Sequence, residues 1–251
     1  MPEQAVLCNR CGGSGWVIVE RDGISGAERC DCVLVGRSQR IERAAGIPPS
    51  YQNASFDNFN LPADNPTART GLGTVLLTVK NFVREFPNAD RPGLLLIGDT
   101  GTGKTHLAVA ALRALISRGF DGVFFDYQQL FEKIRSGYDD TSGTSDKEAY
   151  RTALDAEVLM IDDLGAHRYK EWVEDTITSI ITYRCNHRKP LIATTNLPDD
   201  ERVQDFKTAG NTVVYKKTLG DVIGVRSRSR LYEMCKVVRM PAVEDYRLRR
   251  R

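Results

Sequence analysis

Long apolar runs are missing from this 251-residue sequence. No hydrophobic stretch approaches the roughly 20 residues that a helix needs to cross a bilayer. The start, MPEQAVLCNR, also lacks the charged-then-apolar build of a secretory signal peptide. These two absences predict a cytoplasmic protein that does not contact a membrane.

A strong net charge is also missing, because the formal value is only +2. The charges are uneven, since residues 201–251 hold 13 Lys and Arg against 6 Asp and Glu. This basic end could face a nucleic acid, or it could be solvated or face ATP. With 41% hydrophobic and 27% charged residues, the chain can bury one α/β core with a small appendage.

The stretch GDTGTGKTHLA, residues 98–108, contains the spacing Gly-x-x-x-x-Gly-Lys-Thr. It follows the short apolar run at 94–97 and precedes apolar residues that recur at helical spacing. A glycine-rich loop between a strand and a helix turns its backbone amides onto phosphates, aided by the positive end of the helix. The pattern therefore predicts binding of ATP or GTP.

The residue types in this loop indicate separate roles. Lys104 would reach the β- and γ-phosphates, and the hydroxyl of Thr105 would complete the shell of a Mg²⁺ ion. The predicted nucleotide-binding residues of the loop are Gly98, Thr100, Gly101, Thr102, Gly103, Lys104 and Thr105.

Beyond the loop, strand-like and helix-like segments alternate as in a parallel sheet. The apolar run at 94–97 and the segments GVFFDY, EVLMIDDLG, PLIATTN and KVVRM predict five strands. The predicted fold class is α/β, with a five-stranded parallel sheet between helices.

Two predicted strands end in polar residues that could act on a nucleotide. Asp162 and Asp163 follow the third strand, and Asn196 follows the fourth. Asp162 would hold Mg²⁺, and Asp163 could orient or deprotonate the attacking water. Asn196 could position the water between Asp163 and the γ-phosphate. Considered singly, an acidic pair or an asparagine after a strand is also a common turn.

Six cysteines are present, and four of them lie near the start. Cys8 and Cys11 form Cys-x-x-Cys, and Cys30 and Cys32 form Cys-x-Cys, close to the paired spacing of a zinc ribbon. Four thiolates would make a closed, structural Zn²⁺ site. Two disulfides are the alternative, which a reducing cytoplasm disfavours.

A basic stripe lies in TLGDVIGVRSRSRLYEMC, which we expect to be helical despite its glycines. Arg226 and Arg230 are four residues apart and would share a helix face. Either could reach the nucleotide of a neighbouring subunit. The stripe could also contact phosphates or simply be solvated.

Taken together, GDTGTGKTHLA, LMIDDLG, ATTN and SRLYEMC, in this order and spacing, resemble the AAA+ ATPases of the DnaC/DnaI helicase-loader and IstB transposition-ATPase group. The lead-in AGIPPSYQNASFDNF is similar to the segment before the ATPase core in that group. The cysteine-rich start resembles the zinc-binding front end of DnaI-like members, so the likeness covers nearly the whole chain.

The resemblance implies an AAA+ P-loop fold and ATP hydrolysis. It makes Lys104 and Thr105 the Walker A pair and Asp162 and Asp163 Walker B. It also implies that Asn196 is the first sensor and that Arg230 is an arginine finger, with Arg226 and Arg228 as the other candidates. A finger acts on the next subunit's ATP, so assembly into a ring or spiral is implied.

The resemblance further implies binding of single-stranded DNA inside such a spiral. By position, the residues expected there are Lys133, Arg135, Arg168 and Tyr169. The implied output is delivery of a replicative helicase onto DNA, with the zinc module holding the helicase. An IstB-like ATPase that coats duplex DNA and directs a transposase is the alternative. A small-molecule kinase and a zinc-ribbon module with an inactive ATPase fit these motifs less well.

Two departures from the AAA+ pattern affect these expectations. Walker B ends Asp-Asp rather than the common Asp-Glu, so a shorter arm must reach the water and slow, switch-like hydrolysis is expected. Only a short segment follows the fifth strand, which predicts little or no C-terminal helical lid. The second sensor arginine that such a lid would supply is then missing, and YRLRR is the candidate to substitute for it. The predicted divisions are a zinc module at 1–45, a lead-in at 46–70 and the ATPase domain at 71–251.

Overall fold

The computed structural model describes residues 8–12, 14–21, 24–139, 146–166, 171–199 and 217–248. Five parallel strands form its central sheet, in the spatial order β4-β5-β6-β3-β7. The strands are β3 (Gly93–Ile97), β4 (Gly122–Asp126), β5 (Val158–Asp162), β6 (Leu191–Thr195) and β7 (Cys235–Arg239). The predicted five-stranded parallel sheet is confirmed, and the phosphate-loop strand β3 lies between β6 and β7.

Helices cover both faces of this sheet and form two apolar cores with it. The first core joins one face to α1 (Asp31–Ala44), α2 (Pro66–Glu85) and α3 (Lys104–Ser117). The second joins the other face to α4 (Tyr127–Asp139), α5 (Asp146–Asp155), α6 (Glu171–Asn186), α7 (Leu219–Ile223) and α8 (Val225–Met234). β3, β5 and β6 are buried at every position, as expected for strands covered on both sides.

The segment predicted as one helix from 218 to 235 is divided into α7 and α8. Thr218 and Asp221 form a capping box at the start of α7. Gly224 has φ +82°, outside the helical range, and separates the two helices. The glycine thus turns the chain, which directs the arginines of α8 along a new axis.

Before the sheet, a hairpin of β1 (Trp16–Arg21) and β2 (Ile24–Arg29) leads directly into α1. Glu42 near the end of α1 forms an ion pair with Arg113 of α3. The carbonyl of Ala45 accepts a 2.7 Å hydrogen bond from the amide of Phe124 in β4. The end of the predicted zinc module is therefore attached to the ATPase core.

The lead-in after α1 contains a short 3-10 turn, Pro49–Tyr51, and then α2. Asn65 caps α2 by accepting from the amide of Ala68, and Pro66 occupies the first helical position. α2 runs across the position, 70/71, at which the sequence predicts the ATPase domain to begin. The predicted divisions remain untested as domain limits.

After β7, the described residues as far as 248 contain no helix, as expected for an AAA+ core without a helical lid. They instead turn back over the phosphate loop, where the amide of Tyr246 donates to the carbonyl of Gly101 at 3.1 Å. We call residues 240–248 the C-terminal strap. Within the described ranges, no helix has the length and apolar character that spanning a bilayer requires.

Candidate nucleotide site

A cavity of about 880 Å³ opens at the carboxyl end of the sheet, above the phosphate loop. The loop forms its floor, the lead-in forms one wall, and the C-terminal strap contributes Val243, Glu244, Tyr246 and Arg247. Asp162, Asp163 and Asn196 also line it. The predicted nucleotide-binding and catalytic residues line this cavity, with two exceptions. Gly98 begins the loop outside the cavity, and Arg230 lies on α8.

Two glycines of the loop adopt left-handed backbone conformations that side chains disfavour. Gly101 has φ +75° and Gly103 has φ +92°. A Cβ at Gly101 would lie 2.0 Å from the carboxyl of Asp245, and one at Gly103 would lie 2.6 Å from the ring of Phe59. These glycines therefore allow both the turn of the loop and the close approach of its two neighbours.

Lys104 begins α3 and is almost entirely buried. Its ammonium donates to the carbonyl of Asp99 at 2.7 Å. Burial lowers the pKa of Lys104, while the nearby carboxylates of Asp163 and Asp162 act in the opposite direction. The ammonium is thus placed inside the loop, where the phosphates of a nucleotide would add further negative charge.

The acidic pair is held by hydroxyl groups from two other elements. Asp162 Oδ1 accepts from the hydroxyl of Thr105 at 3.0 Å and from that of Thr194 at 2.6 Å. Burial raises the pKa of Asp162 above its ordinary value, although these two hydrogen bonds act in the opposite direction. The carboxylate and the Thr105 hydroxyl both offer oxygen, the ligand atom that Mg²⁺ prefers. Because these oxygens are 3.0 Å apart, the two groups could share one Mg²⁺ ion.

Asp163 takes a conformation that is rare for a residue with a side chain, with φ +53°. Its Oδ1 accepts from the amide of Asn196 at 3.1 Å. The structure therefore brings together the acidic pair and the asparagine that the sequence placed on separate strands.

The three arginines of α8 do not line the cavity of their own chain within the described residues. Arg228 bonds to Asp199 at 2.9 Å and lies over the ring of Tyr232, and Arg230 pairs with Glu233 at 2.7 Å. Arg226 is exposed and forms no ion pair with any part of the chain that the structure describes. A role for any of them in hydrolysis would therefore be exerted on another subunit.

The four N-terminal cysteines converge on one point. Their sulfur atoms all lie within 4.8 Å of one another, with Cys8 Sγ 3.8 Å from Cys30 Sγ and Cys11 Sγ 3.4 Å from Cys32 Sγ. A tetrahedral zinc site with Zn–S bonds of about 2.3 Å places its sulfurs about 3.8 Å apart. The donor set and spacing fit a structural Zn²⁺ ion.

The remaining two cysteines lie in the ATPase core. Cys235 is fully buried at the start of β7, but Cys185 on α6 is only partly buried.

Of the predicted DNA contacts, Lys133 and Arg135 are exposed on α4, whereas Arg168 and Tyr169 lie outside the described residues.

Several residues of the site were not identified from the sequence. Phe59 and Asn60 enter the cavity from the lead-in, and Tyr246 enters from the strap. The amide of Asn60 donates to the Tyr246 hydroxyl at 3.1 Å, across 186 positions of sequence. Arg247, the first arginine of YRLRR, also lines the cavity, and its positive charge lowers the pKa of Lys104. In the sequence, the lead-in precedes the ATPase core and the strap follows it, and no local motif indicates that they contact each other.

Comparison with known proteins agrees with this geometry. The family described as "IstB-like ATP binding protein" matches residues 39–251. The "Replicative helicase loader DnaC" of Escherichia coli strain K12 is 25% identical over 184 residues, covering 70% of this chain and 72% of that protein. The "Phage-like element PBSX protein XkdC" of Bacillus subtilis strain 168 is 23% identical over 235 residues, covering 91% and 79%.

Solved structures show the same fold. A crystal structure of the DnaC helicase loader has a TM-score of 0.61 and 31% identity, covering 77% of this chain and 100% of that one. A DnaI structure has a TM-score of 0.56 and 22% identity, covering 81% and 98%. The replication initiator DnaA bound to AMPPCP and single-stranded DNA has a TM-score of 0.57 and 17% identity, covering 80% and 53%.

The family match spans most of the chain, and the phosphate loop, the acidic pair and the sheet have the arrangement of an AAA+ core that uses ATP and Mg²⁺. This chain belongs to the IstB-like ATP-binding protein family, the AAA+ ATPases that include the DnaC helicase loaders.

Proposed function

We propose that this ATPase loads a replicative helicase onto single-stranded DNA. The observation that carries the proposal is the likeness to the DnaC helicase loader, whose solved chain is covered completely at 31% identity. The alternative is an IstB-like role in transposition, which the name of the matching family favours.

In the proposed cycle, Lys104 holds the β- and γ-phosphates, and Thr105 and Asp162 hold Mg²⁺. Asp163 orients the attacking water, and Asn196 fixes Asp163 through the hydrogen bond between their side chains. Arg247 of the strap adds positive charge beside Lys104. Mg²⁺ supplies charge neutralisation on the phosphates when bound.

An arginine of α8, Arg230 or its neighbours Arg226 and Arg228, completes the site of the next subunit in a ring or spiral. ATP would then lock neighbouring subunits together, and hydrolysis would release them. Lys133 and Arg135, exposed on α4, are candidates for contacts with DNA. The shorter arm of Asp163 suits slow, switch-like turnover.

We further propose that Cys8, Cys11, Cys30 and Cys32 hold one Zn²⁺ ion. This metal would fix the hairpin and the start of α1, because Cys30 is the residue before that helix. The resulting module would bind the helicase.

The test combines the purified protein with the replicative helicase of its own host, ATP and single-stranded DNA. We expect an ATP-dependent complex that places the helicase on DNA. Asp163→Asn should keep the complex but fail to release it, and Lys104→Ala should not form it. If the protein does not bind the helicase but binds the host's transposase, the transposition role replaces the loader assignment.

The arginine finger is tested by mixing subunits. A Lys104→Ala subunit still offers its arginines to a neighbour, so it should support hydrolysis by a partner that carries Arg230→Ala. Parallel mixtures with Arg226→Ala and Arg228→Ala identify which arginine acts between subunits. Hydrolysis that survives all three substitutions would rule out a finger on α8.

A further inference from the structure

Thr194 lies on β6, two residues before Asn196, and is fully buried. β5 and β6 pair in parallel as far as Ile161 beside Ala193, so Asp162 and Thr194 follow at the end of that pairing. This register brings a hydroxyl to the acidic pair from the neighbouring strand.

The Thr194 hydroxyl contacts both aspartates. It donates to Oδ1 of Asp162 at 2.6 Å and accepts from the backbone amide of Asp163 at 2.9 Å. Its one proton and one of its lone pairs are therefore used on the two adjacent residues. A valine of nearly the same shape would leave both hydrogen bonds unmade.

Thr194 also supports the unusual backbone that follows β5. Asp163 has φ +53°, and the next amide, that of Leu164, donates to the Thr194 carbonyl at 2.7 Å. Two consecutive amides are thus bound by one residue. A rare conformation persists only where its surroundings hold it in this way.

The bond to Asp162 also fixes which oxygen is left for a metal. Thr105 and Thr194 both donate to Oδ1. Neither donates to Oδ2, so the carboxylate is oriented before a metal arrives.

We propose that Thr194 is a positioning residue for ATP hydrolysis, which orients Asp162 toward Mg²⁺ and Asp163 toward the attacking water through a single hydroxyl. The inference rests on the roles proposed above for these two aspartates. Thr194 itself does not line the cavity, so its hydroxyl acts through the two aspartates.

The test measures steady-state ATP hydrolysis against Mg²⁺ concentration in Thr194→Val. We expect kcat to fall by about tenfold or more, and the Mg²⁺ concentration for half-maximal rate to rise by about threefold. Binding of a fluorescent ATP analogue without Mg²⁺ should stay within about twofold of the parent value, because the phosphate loop is unchanged. Thr194→Ser should restore both kinetic values.

Thr195→Val is the matched control. Thr195 is equally buried, but its hydroxyl donates to the Leu164 carbonyl at 2.8 Å and accepts from the amide of Leu197 at 3.1 Å. This control loses a buried hydroxyl that does not contact a carboxylate. It should lower the melting temperature as Thr194→Val does, with the Mg²⁺ dependence unchanged.

Equal Mg²⁺ dependence in the two valine variants would overturn the inference, and so would a serine variant that does not recover. If Thr194→Val does not fold, the serine variant decides, because it must keep the parent's Mg²⁺ dependence. Asp162→Asn, measured in parallel, tests the metal role by itself. Helicase loading is measured in a separate assay. Failure of the loader assignment would therefore not change the conclusion drawn from the Mg²⁺ dependence of ATP hydrolysis.

Discussion

At the scale of single residues, Arg184 is a buried cation whose partners are all carbonyl groups. It lies on α6 and donates to the carbonyls of five residues at the end of α5 and at the starts of β5 and β6: Ala153, Leu154, Ala156, Glu157 and Pro190. Burial lowers its pKa to about 10, so it remains charged at neutral pH. One side chain therefore joins the strands that lead to the acidic pair and to Asn196.

We expect Arg184→Met to destabilise the fold by about 3–5 kcal/mol, because five carbonyls, that of the buried Ala153 among them, lose their donor. Urea unfolding followed by circular dichroism measures this change. Arg188→Met is the matched control, since Arg188 is exposed and makes one long hydrogen bond, 3.4 Å, to the Asp90 carbonyl. Its cost should be below about 1 kcal/mol. Equal costs would show that these carbonyls find other donors.

Asp163 gives the second prediction at this scale. Asp163→Asn keeps the size of the side chain but removes its charge and its ability to accept a proton. We expect kcat for ATP hydrolysis to fall by about a hundredfold or more, with ATP affinity little changed. The matched control is Asp155→Asn at the exposed end of α5, away from the cavity. Turnover that survives in Asp163→Asn would assign the base to another group.

At the scale of elements, the strap and the lead-in close the two sides of the cavity. A hydrogen bond from the side-chain amide of Asn60 to the Tyr246 hydroxyl links them directly. Tyr246→Phe removes that bond and keeps the ring. We expect a fluorescent ATP analogue to dissociate about fivefold faster, as one neutral hydrogen bond is worth about 1 kcal/mol.

The contribution of this link is isolated by adding Asn60→Ala to the Tyr246→Phe variant. If the bond is the shared cause, the double variant should release nucleotide no faster than the more affected single variant. Additive effects would mean that the two residues contact the nucleotide independently.

At the scale of the whole molecule, the cysteine cluster is coupled to the ATPase core. Cys30 immediately precedes α1, and the helix is joined to the core through Glu42 and through Ala45, the residue that follows it. We expect Cys8→Ser to abolish bound zinc, measured by elemental analysis, and to lower the melting temperature by about 5 °C or more in one cooperative transition.

Cys185→Ser, on α6, is the control for this prediction and should keep one zinc per chain. A separate low-temperature transition in Cys8→Ser would show instead that the module unfolds independently of the core. An unchanged zinc content would exclude the four-cysteine site.

The sequence predicts the sheet and the floor of the cavity well, because local spacing determines both. Apolar runs of strand length followed by Gly, Asp or Asn mark the carboxyl ends of β3, β5 and β6. Thr194 could not be identified in this way, since its role depends on the register between two strands. The link between Asn60 and Tyr246 joins segments 186 positions apart, and no local pattern encodes such a contact.

The position of β7 at the edge of the sheet has a consequence for synthesis. β7 is synthesised after the other four strands of the sheet, yet it pairs with β3, the strand that presents the phosphate loop. Until β7 emerges from the ribosome, β3 has an open edge and the cavity lacks its strap. A nascent chain therefore exposes an unpaired strand edge, and it completes its ATP site only after β7 and the strap have been synthesised.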